Sequence, residues 1–272
     1  MDLLNSVLRW CLELVLAPFT GLHPLVSLAP LSVATGVAML WVFAKVSDQK
    51  AIRRAKKKMQ AYLLELRLFG DDPGLMWSAQ MNLIKSNLRY MALMLKPAIY
   101  LTVPMVFLLV HLDAVYGIDP IPTGESAVLT VRVDGRLAAE TTAPSLQAPS
   151  LLAVETPAVR GLTDGVFSWR VKAVEAGSGD IGFDWDGRIW SKTVTAGEDL
   201  RYVSHAKTAS AFESILAPGE KLLQAADIAS VEINYPASSI QTGSLRLHWL
   251  VWFLLISLVA AYALKGFFGV AV

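Results

Sequence analysis

The chain has 272 residues, 54% of them hydrophobic and only 17% charged, with a mean hydropathy of +0.47. Soluble domains carry about 25% charged residues, so the composition excludes a wholly cytosolic enzyme and points to an integral membrane protein with soluble parts. The net charge of +1 conceals two opposed blocks: 11 Lys/Arg against 4 Asp/Glu between Lys45 and Lys96, and 10 against 17 between Asp113 and Leu245. The basic block adjoins apolar runs, so it reads as a topology signal rather than a nucleic-acid footprint. Cys11 is the only cysteine in the sequence, and His23, His111, His205 and His248 lack metal-ligand spacing, so neither a disulfide within the chain nor a cofactor is expected.

Over residues 1–20, Asp2, Asn5, Ser6, Arg9 and Glu13 recur at helical spacing on an apolar segment that Pro18 ends. The pattern predicts an amphipathic helix lying in the outer membrane interface. A signal peptide is the alternative, but such peptides begin with a basic region. A first transmembrane helix is expected over 25–44, about 30 Å long. A second is expected over 94–112, containing Pro97 and Pro104, and a third over 247–264, with His248, Trp249 and Trp252 as interfacial anchors.

Lys45, Lys50, Arg53, Arg54 and Lys56 to Lys58 follow the first span, and Arg89 and Lys96 precede the second. The positive-inside rule therefore assigns 45–93 to the cytoplasm. The N-terminus and region 113–245 then lie outside, the C-terminus inside, in the inner (cytoplasmic) membrane.

Within 45–93, Ile52, Ala55, Met59, Tyr62, Leu66 and Phe69 follow 3–4 spacing, as do Trp77, Met81, Ile84, Leu88, Met91 and Leu95. Two such seams around Gly70-Asp71-Asp72-Pro73-Gly74 predict an antiparallel helical hairpin with Asp72 as N-cap and Pro73 in the first turn. Met81 and Met91 read as seam residues. Met76 and Met94 fall off the seam, and flexible methionines suit surfaces that accept varied apolar partners. The basic run at 53–58 is a topology determinant or lipid-headgroup contact, with the ribosome as an alternative partner.

Region 113–245 is β-like. Residues 127–135 and 167–174 alternate apolar and polar side chains, and Asp134-Gly135 and Asp186-Gly187 fit hairpin turns. An extracytoplasmic all-β sandwich is expected, with a short helix near 209–216 and loops or edges at Pro144, Pro149 and Pro157. Asp180, Asp184 and Asp186 lack the calcium-loop spacing. Ser204-His205 has no supporting motif, so no enzyme chemistry is expected.

An outer amphipathic helix, a first span, the hairpin Ala51 to Leu95 with its Asp71-Asp72-Pro73 turn, and a second span entered through Met94-Leu95-Lys96-Pro97 form a distinctive order. It resembles the YidC/Oxa/Alb insertase superfamily, in particular its three-span archaeal and endoplasmic-reticulum-membrane-complex-like branch. Two features depart from that pattern: segment 25–44 has no charge where bacterial members carry an arginine, and the β-domain follows the second span. The resemblance implies an insertase or chaperone that carries nascent hydrophobic helices and short polar tails into the bilayer. Ser32, Thr35, Lys96 and Thr102 would line a polar groove, beside Met76 and Met94 at a capture surface. Backbone-bonded hydroxyls and a snorkelling Lys96 are the competing reading. So are an exterior binding or scaffold subunit, whose partner sits on the β-domain, and a subunit of a transport complex.

Overall fold

A computed structural model describes residues 10, 12, 14–19, 21–69, 71–135, 141–185, 187–198, 202–210, 213–216, 218–223 and 227–270. Asp2, Asn5, Ser6, Arg9 and Glu13, which carry the expected interfacial helix, lie outside them, as do Cys11 and Asp186. Within 1–20 a 3₁₀ turn spans Ala17–Phe19. The chain forms two compact units, one of residues 1–27 with 107–252 and the other of 28–106 with 253–272.

The helices are α1 (Pro24–Val46), α2 (Gln49–Leu68), α3 (Pro73–Tyr116), the short α4 (Glu213–Leu216) and α5 (Trp249–Leu264). Two of them, α1 with 23 residues and α3 with 44, are long and apolar enough to cross a bilayer. The second arm of the hairpin and the second apolar run are a single helix, because Arg89 to Lys96 contains no breaker and Pro97 sits inside the helix. Proline is tolerated in apolar helices whose freed carbonyls find other partners. The last apolar run is shorter than expected, 16 residues, because Leu247 belongs to a strand paired with Ile240.

Asp48 caps α2, its carboxylate accepting the Ala51 N–H at 2.9 Å. Asp72 does the same for α3, accepting from Gly74 and Leu75, with Pro73 as first residue. The first arm buries Ile52 and Ala55. The second arm does not use its apolar seam: Trp77, Ile84, Leu88, Met91 and Leu95 are all exposed, and Ala79 is buried instead. The apolar stripe continues in step through Ile99, Val103 and Val106, which are also exposed. That stripe is one long face of α3, not half of a coiled coil.

The β region is sandwich-like. Strands β1 (Ser126–Val133), β3 (Leu152–Val154), β4 (Val159–Gly161), β5 (Val166–Ala173), β8 (Ala206–Thr208) and β9 (Ile228–Asn234) form a six-stranded antiparallel sheet in the order β3-β5-β1-β9-β8, with β4 also on β5. Strands β2 (Ser145–Gln147), β6 (Gly177–Trp185) and β7 (Arg188–Ala196) form a second, and β10 (Ile240–Thr242) pairs with β11 (Leu245–Leu247). Alternation sends Leu129, Val131, Phe167, Trp169, Val171, Ile181, Phe183 and Val194 into one core. Gly187, at φ +78°, closes the β6–β7 hairpin as its turn residues require. Among the described residues Asp134-Gly135 closes no hairpin: β1 pairs with β5 and β9, and the next described strand, β2, joins the other sheet. Gly135 meets Gly165 instead, whose Cβ, if added, would lie 2.2 Å from the Gly135 carbonyl oxygen.

Because this core is contiguous in sequence, a fragment of residues 113–245 should give a β-type circular dichroism spectrum and a cooperative urea transition. Phe167→Ala, which empties the core centre, should cost it about 3–5 kcal/mol. A non-cooperative transition would show that the core needs the helices.

Candidate functional site

Ser32 and Thr35 share the buried face of α1 with Leu28, Gly36 and Leu40. Their hydroxyls donate to their own helix, Ser32 to the Leu28 carbonyl at 2.7 Å and Thr35 to that of Leu31 at 2.8 Å. The same face packs closely on α5: a Cβ at Gly36 would lie 2.5 Å from the Ser257 carbonyl oxygen. Small residues at such crossings let helix backbones approach.

On α3, Lys96 and Thr102 are exposed, and Thr102 donates to the Ala98 carbonyl at 2.8 Å. Met76 is exposed in the first turn and Met94 is half-buried. The two methionines lie on one face but about 27 Å apart along the axis. Only Ser32 and Thr35 of the six expected site residues therefore share a local face, and that face is packed rather than open.

Sequence reasoning missed a charged cluster inside the sandwich. Lys192 is 0% exposed on β7 and donates to Glu220 Oε1 at 2.7 Å and to the Ser204 carbonyl at 2.9 Å. Glu220 Oε2 accepts from the Thr193 N–H at 3.3 Å and lies 3.7 Å from Lys207 Nζ on β8. The cluster thus clips the smaller sheet to the edge of the larger one. Burial pushes the Lys192 ammonium below the usual lysine range, and Glu220 opposes that shift. The period-2 pattern was the available signal, because Trp190, Lys192, Val194 and Ala196 occupy alternate positions that end in buried residues.

Open space adjoins this clip. A cavity of about 250 Å³ is lined by Asp113, His205, Pro218, His248 and Trp249 among others, and His205 also lines a second, of about 300 Å³, with Thr130 and Glu232. Burial, then Lys192, depress the His205 imidazole, while Asp113 and Glu232 raise it. The Asp113 carboxylate accepts the indole N–H of Trp249 at 3.0 Å. Among the described residues, no group of three or more His, Cys, Asp or Glu is placed to hold a metal ion. Asp180 accepts instead from the Thr193 hydroxyl at 2.9 Å.

No protein-family model, curated protein or solved structure matches this chain.

Removing one member of a buried pair strands the other charge. Glu220→Ala should destabilise the 113–245 fragment by about 3–5 kcal/mol in urea titrations, and the double replacement Lys192→Met with Glu220→Leu should recover most of that loss.

Tyr235 supplies a pH test. Its buried hydroxyl accepts the Thr195 N–H at 3.2 Å, and burial raises its phenol far above the ordinary value of 10.0. Above that pH the folded state holds a proton that the unfolded state has lost, so stability falls as pH rises past about 10. Tyr235→Phe should flatten this alkaline fall in thermal melts, and cost about 1–3 kcal/mol at pH 7 by leaving the Thr195 N–H unpaired.

Proposed function

We propose that the chain is a membrane-protein insertase or chaperone acting on nascent hydrophobic helices. The single observation that carries this reading is the apolar face of α3. Trp77, Met81, Ile84, Leu88, Met91, Leu95, Ile99, Val103 and Val106 are all exposed along one helix. It runs from the basic hairpin into the apolar segment that begins after Lys96. A hydrophobic segment arriving from water can lie along this face without leaving apolar contact. Lys96 and Thr102 offer polar contacts beside it, lowering the cost of carrying a short polar tail.

The proposed topology has three spans, N-terminus outside and C-terminus in the cytoplasm of a bacterial-type inner membrane. The charge blocks support it, and so do helix-end contacts. At one end Tyr116 donates to Ser27 and Trp249 to Asp113. At the other, Arg53 at the start of the basic arm donates to the Gly269 carbonyl beyond α5. The basic arm also leaves the ribosome as a proposed partner.

A second reading, an exterior binding or scaffold subunit, is favoured by the separate core of the β-domain and the two cavities beside His205. Reconstituted vesicles separate the two. Leu88→Asp with Met91→Asp should reduce insertion of a short-tailed test protein at least fivefold, while Glu232→Gln in the β-domain should leave it unchanged. Wild-type vesicles that insert no better than empty ones, across several substrates, would overturn the insertase reading.

A further inference from the structure

The hairpin contains a cleft that the apolar face of α3 does not use. On α2, Ala51, Arg54, Ala55, Lys58 and Tyr62 lie along one face, and on α3, Asn82, Lys85, Ser86 and Arg89 do the same. These two faces line a single cavity of about 340 Å³. Four cations thus converge on it, with no carboxylate in its wall. Acidic residues are scarce around it too: α2 holds only Glu65, and α3 has none before Asp113. Arg54 donates through Nε to the Lys50 carbonyl at 3.3 Å, leaving its terminal nitrogens uncommitted. None of the four cations has an ion-pair partner among the described residues.

Four like charges around one small space repel each other, and among the described residues no carboxylate pairs with any of them. The side chains that line the space, apart from two alanines, can all donate hydrogen bonds. The matching ligand is therefore small, doubly charged and rich in acceptor oxygens. A carboxylate provides one charge and two oxygens, and a peptide helix, roughly 10–12 Å across, does not fit the cavity. A phosphate monoester has up to two charges and three free oxygens, and arginine meets phosphate with a paired-donor geometry.

We propose that this cleft binds a dianionic phosphate monoester or pyrophosphate group, carried by an anionic phospholipid headgroup or by a soluble phosphate ester. The lipid source is sterically reasonable, because Arg89 lies about 10 Å along α3 from Lys96, where the apolar run begins, near the depth of a headgroup layer. The cleft does not depend on the insertase reading, and its lipid source requires only that α3 sits in a bilayer.

The test uses the full chain and two double variants of equal charge. Arg54→Gln with Arg89→Gln removes cleft cations, and Lys50→Gln with Lys57→Gln removes cations of the same arm that do not line it. Inorganic pyrophosphate is titrated calorimetrically into protein in neutral detergent. Retention of phosphatidic acid over phosphatidylcholine is read by native mass spectrometry from nanodiscs containing both. Cleft binding weakens at least tenfold in the Arg54/Arg89 variant and less than threefold in the Lys50/Lys57 variant. Pyrophosphate binding alone identifies a soluble source, and phosphatidic acid retention alone a headgroup. Equal loss in both variants means diffuse charge and overturns the proposal. So does absence of binding in both assays, or phosphatidylglycerol retained as well as phosphatidic acid. Without ligand the Arg54/Arg89 variant should melt no lower than wild type, since it relieves repulsion. If it melts lower, Lys58→Gln with Lys85→Gln carries the same comparison.

Discussion

Two side-chain hydrogen bonds at the end of α3 fix the arrangement on which its neighbours depend. Tyr116, 1% exposed, donates to Ser27 at 2.8 Å, and Trp249, 2% exposed, donates to Asp113 at 3.0 Å. Buried tyrosine and tryptophan need a partner for their polar ends, so each ring fixes both a direction and a depth. Together they join the start of α1, the end of α3 and the start of α5, three points far apart in sequence. Backbone bonds extend the junction: the Val203 N–H donates to the Ala114 carbonyl and that of Asp119 to Pro236. The β-domain therefore begins on a helix end that is already held.

Polarity is sorted by element. The helices α1 and α5 approach closely at Gly36 and Ser257, and the hydroxyls of Ser32, Thr35 and Ser257 donate to their own backbones. The basic charge collects on α2 and the first half of α3, and the acidic charge on the strands and loops after Asp113. Helix α3 carries both characters, with an apolar face and a cationic one separated around its axis. The apolar side chains and the cations of this helix are thus two separate sets.

Local patterns in the sequence were the legible ones. Alternation located β1 and β5, Gly187 marked its hairpin, and Asp72-Pro73 marked the start of α3, because each is decided by neighbours a few residues away. What depended on distant partners was hidden. The 3–4 spacing of Trp77 to Leu95 is real, but periodicity fixes a face and not what that face meets. Asp134-Gly135 has turn chemistry, yet strand order is set by β9 and β5, far along the chain. Ser32 and Thr35 have the polarity that a groove needs, and only geometry reveals that their protons go to Leu28 and Leu31. Nothing near Lys192 in the sequence signals its burial, because its counter-ion is 28 residues later.

The Lys192 clip also decides how the sandwich meets other chains. Strand β7 is the long outer strand of its sheet, and such an edge offers unpaired N–H and C=O groups to any extended segment nearby. Here the outward groups are occupied in turn. Lys207 donates to the Ser191 carbonyl, Glu220 accepts from Thr193, the Tyr235 hydroxyl accepts from Thr195, and Ile121 donates to the Thr195 carbonyl. The outer strands of the larger sheet, β3, β4 and β8, are each only three residues long. An open strand edge is vulnerable to capture by strand addition. The longest edge of this domain is occupied from Ser191 to Thr195 by side chains and by the Ile121 main chain, which leaves that stretch closed to strand addition.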